Sequence, residues 1–144
     1  MARISPCKRG MPRLFPLFLC RVAASFPSPA DDYIDRPLDL NELLIRHQAA
    51  TFFVRARGDS MIGAGIHDGD LLVVDRAIQA ASGHIVIAAL DGDLTVKRVL
   101  RRGARLFLEA ASTQYPLLEV NEETDFRVWG VVTHVIHSLK DVGI

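Results

Sequence analysis

The chain has 144 residues, enough for one domain with an arm attached, and 49% of them are hydrophobic, enough for a true core. Seventeen basic and 17 acidic side chains cancel to a net charge of zero. That excludes a general nucleic-acid binder, whose phosphate contacts need a basic surface, though not a protein that reaches DNA through a partner. No stretch approaches the roughly 20 apolar residues that span a bilayer, and no C-x-x-C or H-E-x-x-H spacing occurs, so neither metal nor cofactor is expected.

At the N-terminus, Arg3, Lys8, Arg9 and Arg13 precede the apolar run Leu14-Phe15-Pro16-Leu17-Phe18-Leu19, and Val22-Ala23-Ala24 follows as a run of small residues. This is the outline of a secretory signal. The run is short, Pro16 interrupts it, and Arg21 falls between it and the small residues, so the expected location is the cytoplasm. Cys7 and Cys20 both lie in this arm. A disulfide between them would close only a short loop outside the core, and a cysteine-poor remainder suits a reducing compartment. Pro27, Pro29 and Pro37 then remove backbone donors and force extended geometry, and Asp39 is placed to cap a short helix through Asn41–Arg46. The chain thus divides into an arm over 1–24, an extended linker and short helix over 25–47, and a main domain over 48–144.

That domain reads as β. Thr51–Val54, Leu71–Val74, His84–Ile87, Leu94–Leu100, Arg105–Leu108 and Phe126–Ile136 are branched or aromatic runs punctuated by Gly and Asp. Asp68-Gly69-Asp70 and Asp91-Gly92-Asp93 are turn signals, the second placed as a hairpin requires. The repeated Asp-Gly-Asp has no EF-hand spacing after it, so turns are expected rather than calcium loops. Six or more short strands with little helix predict an all-β fold: a compact, strongly bent sheet or partly closed barrel with an extended N-terminal arm.

Two residues carry the candidate chemistry. Ser60 lies in the Gly-rich turn Gly58-Asp59-Ser60-Met61, and Lys97 lies in the middle of an apolar strand. A serine hydroxyl needs a base, and a lysine serves only when neutral. Bringing its pKa from about 10.4 to roughly 7–8 takes about 4 kcal/mol, which burial without a partner supplies. On a strand Thr95, Lys97 and Val99 share a face with no carboxylate, while Arg98 points the other way and cannot act as a base. The bland alternative is an edge lysine reaching to solvent and a serine decorating a turn. Gly58, which allows close approach of backbone to substrate, tips the reading toward catalysis, with the backbone N–H groups of Ser60 and Asp59 as candidate oxyanion donors. Other serine chemistries fit less well. The block is one residue from G-D-S-L, but the D-x-x-H such lipases need is absent; Ile62 breaks G-x-S-x-G. A histidine triad would have to draw on His47, His67, His84, His134 or His137, of which the last two fall in or at the end of a strand-like run where structural roles are expected.

Across Leu14–Leu139 the chain resembles the LexA/UmuD family of Ser-Lys peptidases. The resemblance rests on Phe15-Pro16-Leu17-Phe18, Phe26-Pro27-Ser28-Pro29-Ala30, Asp39–Ile45, Gly58-Asp59-Ser60-Met61-Ile62, Asp68–Asp75, Gly83–Ala89, Thr95-Val96-Lys97 and Gly130-Val131-Val132. It implies Ser60 as nucleophile, Lys97 as general base and an all-β peptidase domain. It also implies self-cleavage near Ala24-Ser25, stimulated by RecA on single-stranded DNA, and a trimmed homodimer that joins a UmuC-type translesion polymerase in the SOS response, without direct membrane or sequence-specific DNA binding. The family's accessory subunits cut Cys-Gly and its repressors Ala-Gly; this chain offers Ala24-Ser25, which keeps a small residue before the bond. The repressors place a winged helix-turn-helix ahead of the cut, for which an arm of 24 residues is too short, so the accessory-subunit form is expected. The alternative is a non-enzymatic dimeric scaffold that regulates the polymerase.

Overall fold

The computed structural model describes residues 13–18 and 34–140. The expected cleavage residues Ala24 and Ser25, both cysteines, and Pro27 and Pro29 lie outside them. The described chain falls into two compact units that divide at Arg46/His47.

In the first unit, β1 (Leu14–Phe18) pairs antiparallel with β2 (Ile34–Asp39), and the short helix α1 (Leu40–Leu44) follows directly. The arm, expected to be extended, is a strand over Leu14–Phe18, and its partner is the linker segment Ile34–Asp39. Pro16 faces Pro37 across the pair, the kind of rung that takes no ladder hydrogen bond, so neither proline interrupts the register. Asp39 caps α1 as expected, its Oδ1 accepting from Asn41 N at 2.9 Å.

The second unit holds seven strands: β3 (Thr51–Arg55), β4 (Leu71–Asp75), β5 (Ile85–Leu90), β6 (Asp93–Arg102), β7 (Arg105–Glu109), β8 (Leu118–Val120) and β9 (Phe126–Ile136). They form one sheet in the order β3-β4-β9-β5-β6-β7-β8, with every neighbouring pair antiparallel. The two outer strands, β3 and β8, do not pair among the described residues, so the sheet stays open rather than closing into a barrel. Its curvature has a local cause in β9. On the β4 side the register skips Thr133, and on the β5 side it skips Trp129. Each extra residue bends and twists the strand, and β9 carries two of them between its neighbours.

The continuous apolar runs of β4 and β5 are explained by burial on both faces. Leu72, Val74 and Ile87 pack with Phe52, Ala56, Met61 and Ile66 on one side. Val86 and Ala88 pack with Val99, Leu108 and Val131 on the other. Between β5 and β6 the turn Asp91-Gly92 has φ values of 48° and 89°, the pair of positive angles that a two-residue hairpin loop needs. This hairpin fixes the register that sets Lys97 directly opposite Val86.

Candidate functional site

Ser60 sits at the head of a tight turn that the core holds in place. The neighbouring Met61 is 1% exposed and packs among Phe52, Ile66 and Leu72, so the residue after the hydroxyl acts as an anchor. Gly58 has φ 86°, which only glycine adopts without strain, and its N–H donates to Asp68 Oδ1 at 2.7 Å. Past Ser60 the chain winds into a 3₁₀ turn over Ile62–Ala64, and Gly63 N donates to Ala111 O at 2.7 Å. There is no room for a side chain at that crossing, since a Cβ on Gly63 would lie 2.5 Å from Ala111 O. The turn is therefore pinned at three points: by Asp68, by the Met61 side chain and by the 111–117 loop.

Lys97 approaches from β6. Its Nζ donates to Ser60 Oγ at 3.0 Å, across 37 residues of sequence. Val86 is fully buried opposite it, and Val99 on the same face of β6 is 5% exposed. Loss of hydration pushes the Lys97 ammonium below its usual range, and among the described residues no carboxylate lies within 4.0 Å of Nζ to restore it. The ring of Tyr115 lies 5.8 Å from Nζ, an arrangement that favours the charged form. That ring is 43% exposed and near the limit of range, so desolvation prevails and the net direction is down. Arg98, as its place on the strand requires, turns to the other face, with Nη1 3.8 Å from Glu109 Oε1.

Asp59, next to the serine, accepts from the Tyr115 hydroxyl at 2.9 Å through Oδ1. The N–H groups of Asp59 and Ser60 donate to no acceptor among the described residues. A serine hydroxyl beside a desolvated amine is suited to attack on a carbonyl.

The histidines go elsewhere. Asp70 and Asp75, at the two ends of β4 and each 3% exposed, accept from His137 Nδ1 at 2.5 Å and from His47 Nδ1 at 2.6 Å. Burial raises the Asp70 pKa, but bonds from His67 N and His137, with the charge of both rings, outweigh it and hold the carboxyl below its ordinary value. The Asp-Gly-Asp of 68–70 was legible only as a turn. In the folded chain its first carboxylate braces the Ser60 turn and its second gathers two histidines. Neither this grouping nor the Tyr115–Asp59 bond was anticipated, because both join segments far apart in sequence. Among the described residues no helix is long and apolar enough to cross a membrane.

Comparison with known proteins gives a consistent picture. The Peptidase S24-like family pattern matches residues 16–133. The chain is similar to Protein ImpA of Salmonella typhimurium, with 50% identity over 127 residues that cover 88% of this chain and 86% of that protein. It is 47% identical to Protein SamA of the same organism over 137 residues, 95% of each. It is also similar to a LexA repressor of Cupriavidus taiwanensis, 40% identical over 118 residues, which make up 82% of this chain and 54% of the repressor.

Proposed function

This chain belongs to the Peptidase S24-like family, as a UmuD-type member of the LexA/UmuD peptidases with an activity of the serine-peptidase type, and from that premise we propose that it is a self-cleaving Ser-Lys endopeptidase. Ser60 Oγ attacks the carbonyl carbon of Ala24 in the arm. Lys97 in its neutral form takes the hydroxyl proton as the new bond forms. The backbone N–H groups of Ser60 and Asp59 hold the oxyanion. Lys97 then returns the proton to the Ser25 nitrogen as the peptide bond breaks, and water hydrolyses the ester left on Ser60. Because attacker and target are tethered, much of the association entropy is already spent and a modest chemical step suffices.

The observation that carries this reading is the 3.0 Å contact between Lys97 Nζ and Ser60 Oγ, made by an amine that burial pushes toward its neutral form. In the cell the cut is stimulated by a RecA filament on single-stranded DNA, which acts by binding the cleavable arrangement better than the resting one. The trimmed homodimer then serves a UmuC-type polymerase in SOS mutagenesis, in the cytoplasm. The test is to mix the purified chain with RecA filaments and measure intact mass. A product beginning at or near Ser25, absent from Ser60→Ala, is the expected result. An unchanged mass would leave the protein a non-enzymatic scaffold for the polymerase, and a product that still forms in Ser60→Ala would assign the cut to another peptidase.

A further inference from the structure

At the end of the sheet where β4 begins and β9 finishes, a second group of side chains takes no part in the chemistry above. We propose that His67, Asp70 and His137 form a binding site for a divalent transition-metal ion of the zinc class. His67 and Asp70 lie in the turn that leads into β4, and His137 follows directly on Ile136, which pairs with Leu71 at the first residue of β4. The pairing brings His137 back beside a turn 67 residues earlier in the chain.

The geometry is close to what such an ion requires. Asp70 Oδ1 is 2.5 Å from His137 Nδ1, and Asp70 Oδ2 is 3.7 Å from His67 Nδ1. The two imidazole rings are 4.7 Å apart at centroids and tilted by 31°, and one ligand atom from each of the three residues lies within 4.8 Å of the other two. Ligands bonded at about 2.0–2.2 Å in a tetrahedron stand roughly 3.4 Å apart. The two separations lie on either side of that value, and neither needs a movement of more than about an ångström to meet it. Such movement is cheap for the histidines, whose side chains are 47% and 42% exposed. The carboxylate is the fixed member, 3% exposed and oriented by His67 N donating to Oδ2 at 2.8 Å.

Two further features favour a metal over a simple polar cluster. Among the described residues no lysine or arginine pairs with Asp70, so no fixed cation occupies the place an ion would take. Two imidazoles with one carboxylate suit zinc, nickel or copper rather than calcium or magnesium, which prefer oxygen ligands alone. On binding, the ion replaces the proton shared between His137 and Asp70, which leaves to solvent, and water completes the coordination sphere. The bound ion would clip the turn that follows Ser60 to the end of β9.

Zinc and cobalt titration of the full-length chain tests the site without reference to peptidase activity. The expected result is one equivalent of Zn²⁺ bound, a raised melting temperature at excess zinc, and visible absorption of tetrahedral Co²⁺. His67→Ala and His137→Ala should each weaken Zn²⁺ binding by at least ~10-fold, with circular dichroism of each variant showing that the sheet is retained. His67→Gln and His137→Gln, which keep a hydrogen-bonding group beside Asp70, should show the same loss. Absence of zinc uptake by the wild-type chain overturns the proposal. So does uptake of equal stoichiometry and affinity in the His67→Ala/His137→Ala double variant, which would assign the ion to other ligands such as the cysteines.

Discussion

The hydroxyl of Tyr115 donates to Asp59 at 2.9 Å, and this bond occupies the carboxylate adjacent in sequence to Ser60. Without this bond, Asp59 would be a carboxylate beside the serine with freedom to turn toward Lys97 and hold it as an ammonium. Tyr115→Phe removes the bond and keeps the ring. We expect the pH profile of self-cleavage in this variant to move to higher pH, because a carboxylate near Lys97 favours its charged form. Adding Asp59→Asn should move it back. A Tyr115→Phe profile superimposable on that of the wild type would show that the bond has no bearing on the amine.

The dyad itself makes a sharper demand. Ser60→Ala and Lys97→Ala should fold and remain uncut, the lysine change lowering the rate by about 10²–10⁴-fold, the usual contribution of a general base. In the wild type the rate should climb from neutral pH and level off before the ordinary lysine pKa of about 10.4, since burial lowers the value for Lys97. A rate independent of pH between 7 and 10, followed by quantitative gel or mass analysis, would remove Lys97 from the mechanism.

Lys97 should also cost stability at neutral pH. Its folded-state pKa lies below its unfolded one, so below the folded value the chain carries the full penalty of a desolvated ammonium. As pH rises from the folded toward the unfolded pKa the unfolded chain binds more protons, and stability increases. Lys97→Met, which keeps the aliphatic stem, should therefore melt higher than wild type at pH 7, with the difference shrinking above about pH 10. Equal melting temperatures at pH 7 in calorimetry would mean that the amine is well solvated.

Gly130 in β9 tests the packing behind the site. A Cβ there would stand 2.7 Å from Val74 Cγ1 and 3.1 Å from Asp75 O, against the neighbouring strand β4. Gly130→Ala should cost about 1–3 kcal/mol by overpacking, read as a lower denaturation midpoint in urea. No loss of stability would imply that β4 and β9 separate more easily than their shared core suggests.

Much of this is legible in the sequence. The strands of the main domain announce themselves through branched runs ending at Gly and Asp, and the Asp91-Gly92 turn fixes the hairpin that delivers Lys97. Ser60 and Lys97 were legible as a pair because a glycine-rich turn and a carboxylate-free strand face each state a local requirement. The pairing of Leu14–Phe18 with Ile34–Asp39 is not legible, because Pro16 and Pro37 speak against a ladder and the partner residues are far apart in sequence. Leu118–Val120 is too short to show a period. Tyr115 and the His67–Asp70–His137 group depend on which loops meet, and that is decided by strand order. The skipped residues Trp129 and Thr133 leave no mark in the run Phe126–Ile136, because a bulge depends on which residues the two neighbouring strands bring opposite it.

The position of β9 has a further consequence, in time rather than in space. The Ser60 turn belongs to the β3–β4 pair and Lys97 to the β5–β6 hairpin, yet these two halves have no edge in common: β9 lies between them. Each half can form as it leaves the ribosome, and the sheet that carries both is complete only when residues 126–136 have been inserted between them. Strand order would thus delay the meeting of Ser60 and Lys97 until late in synthesis.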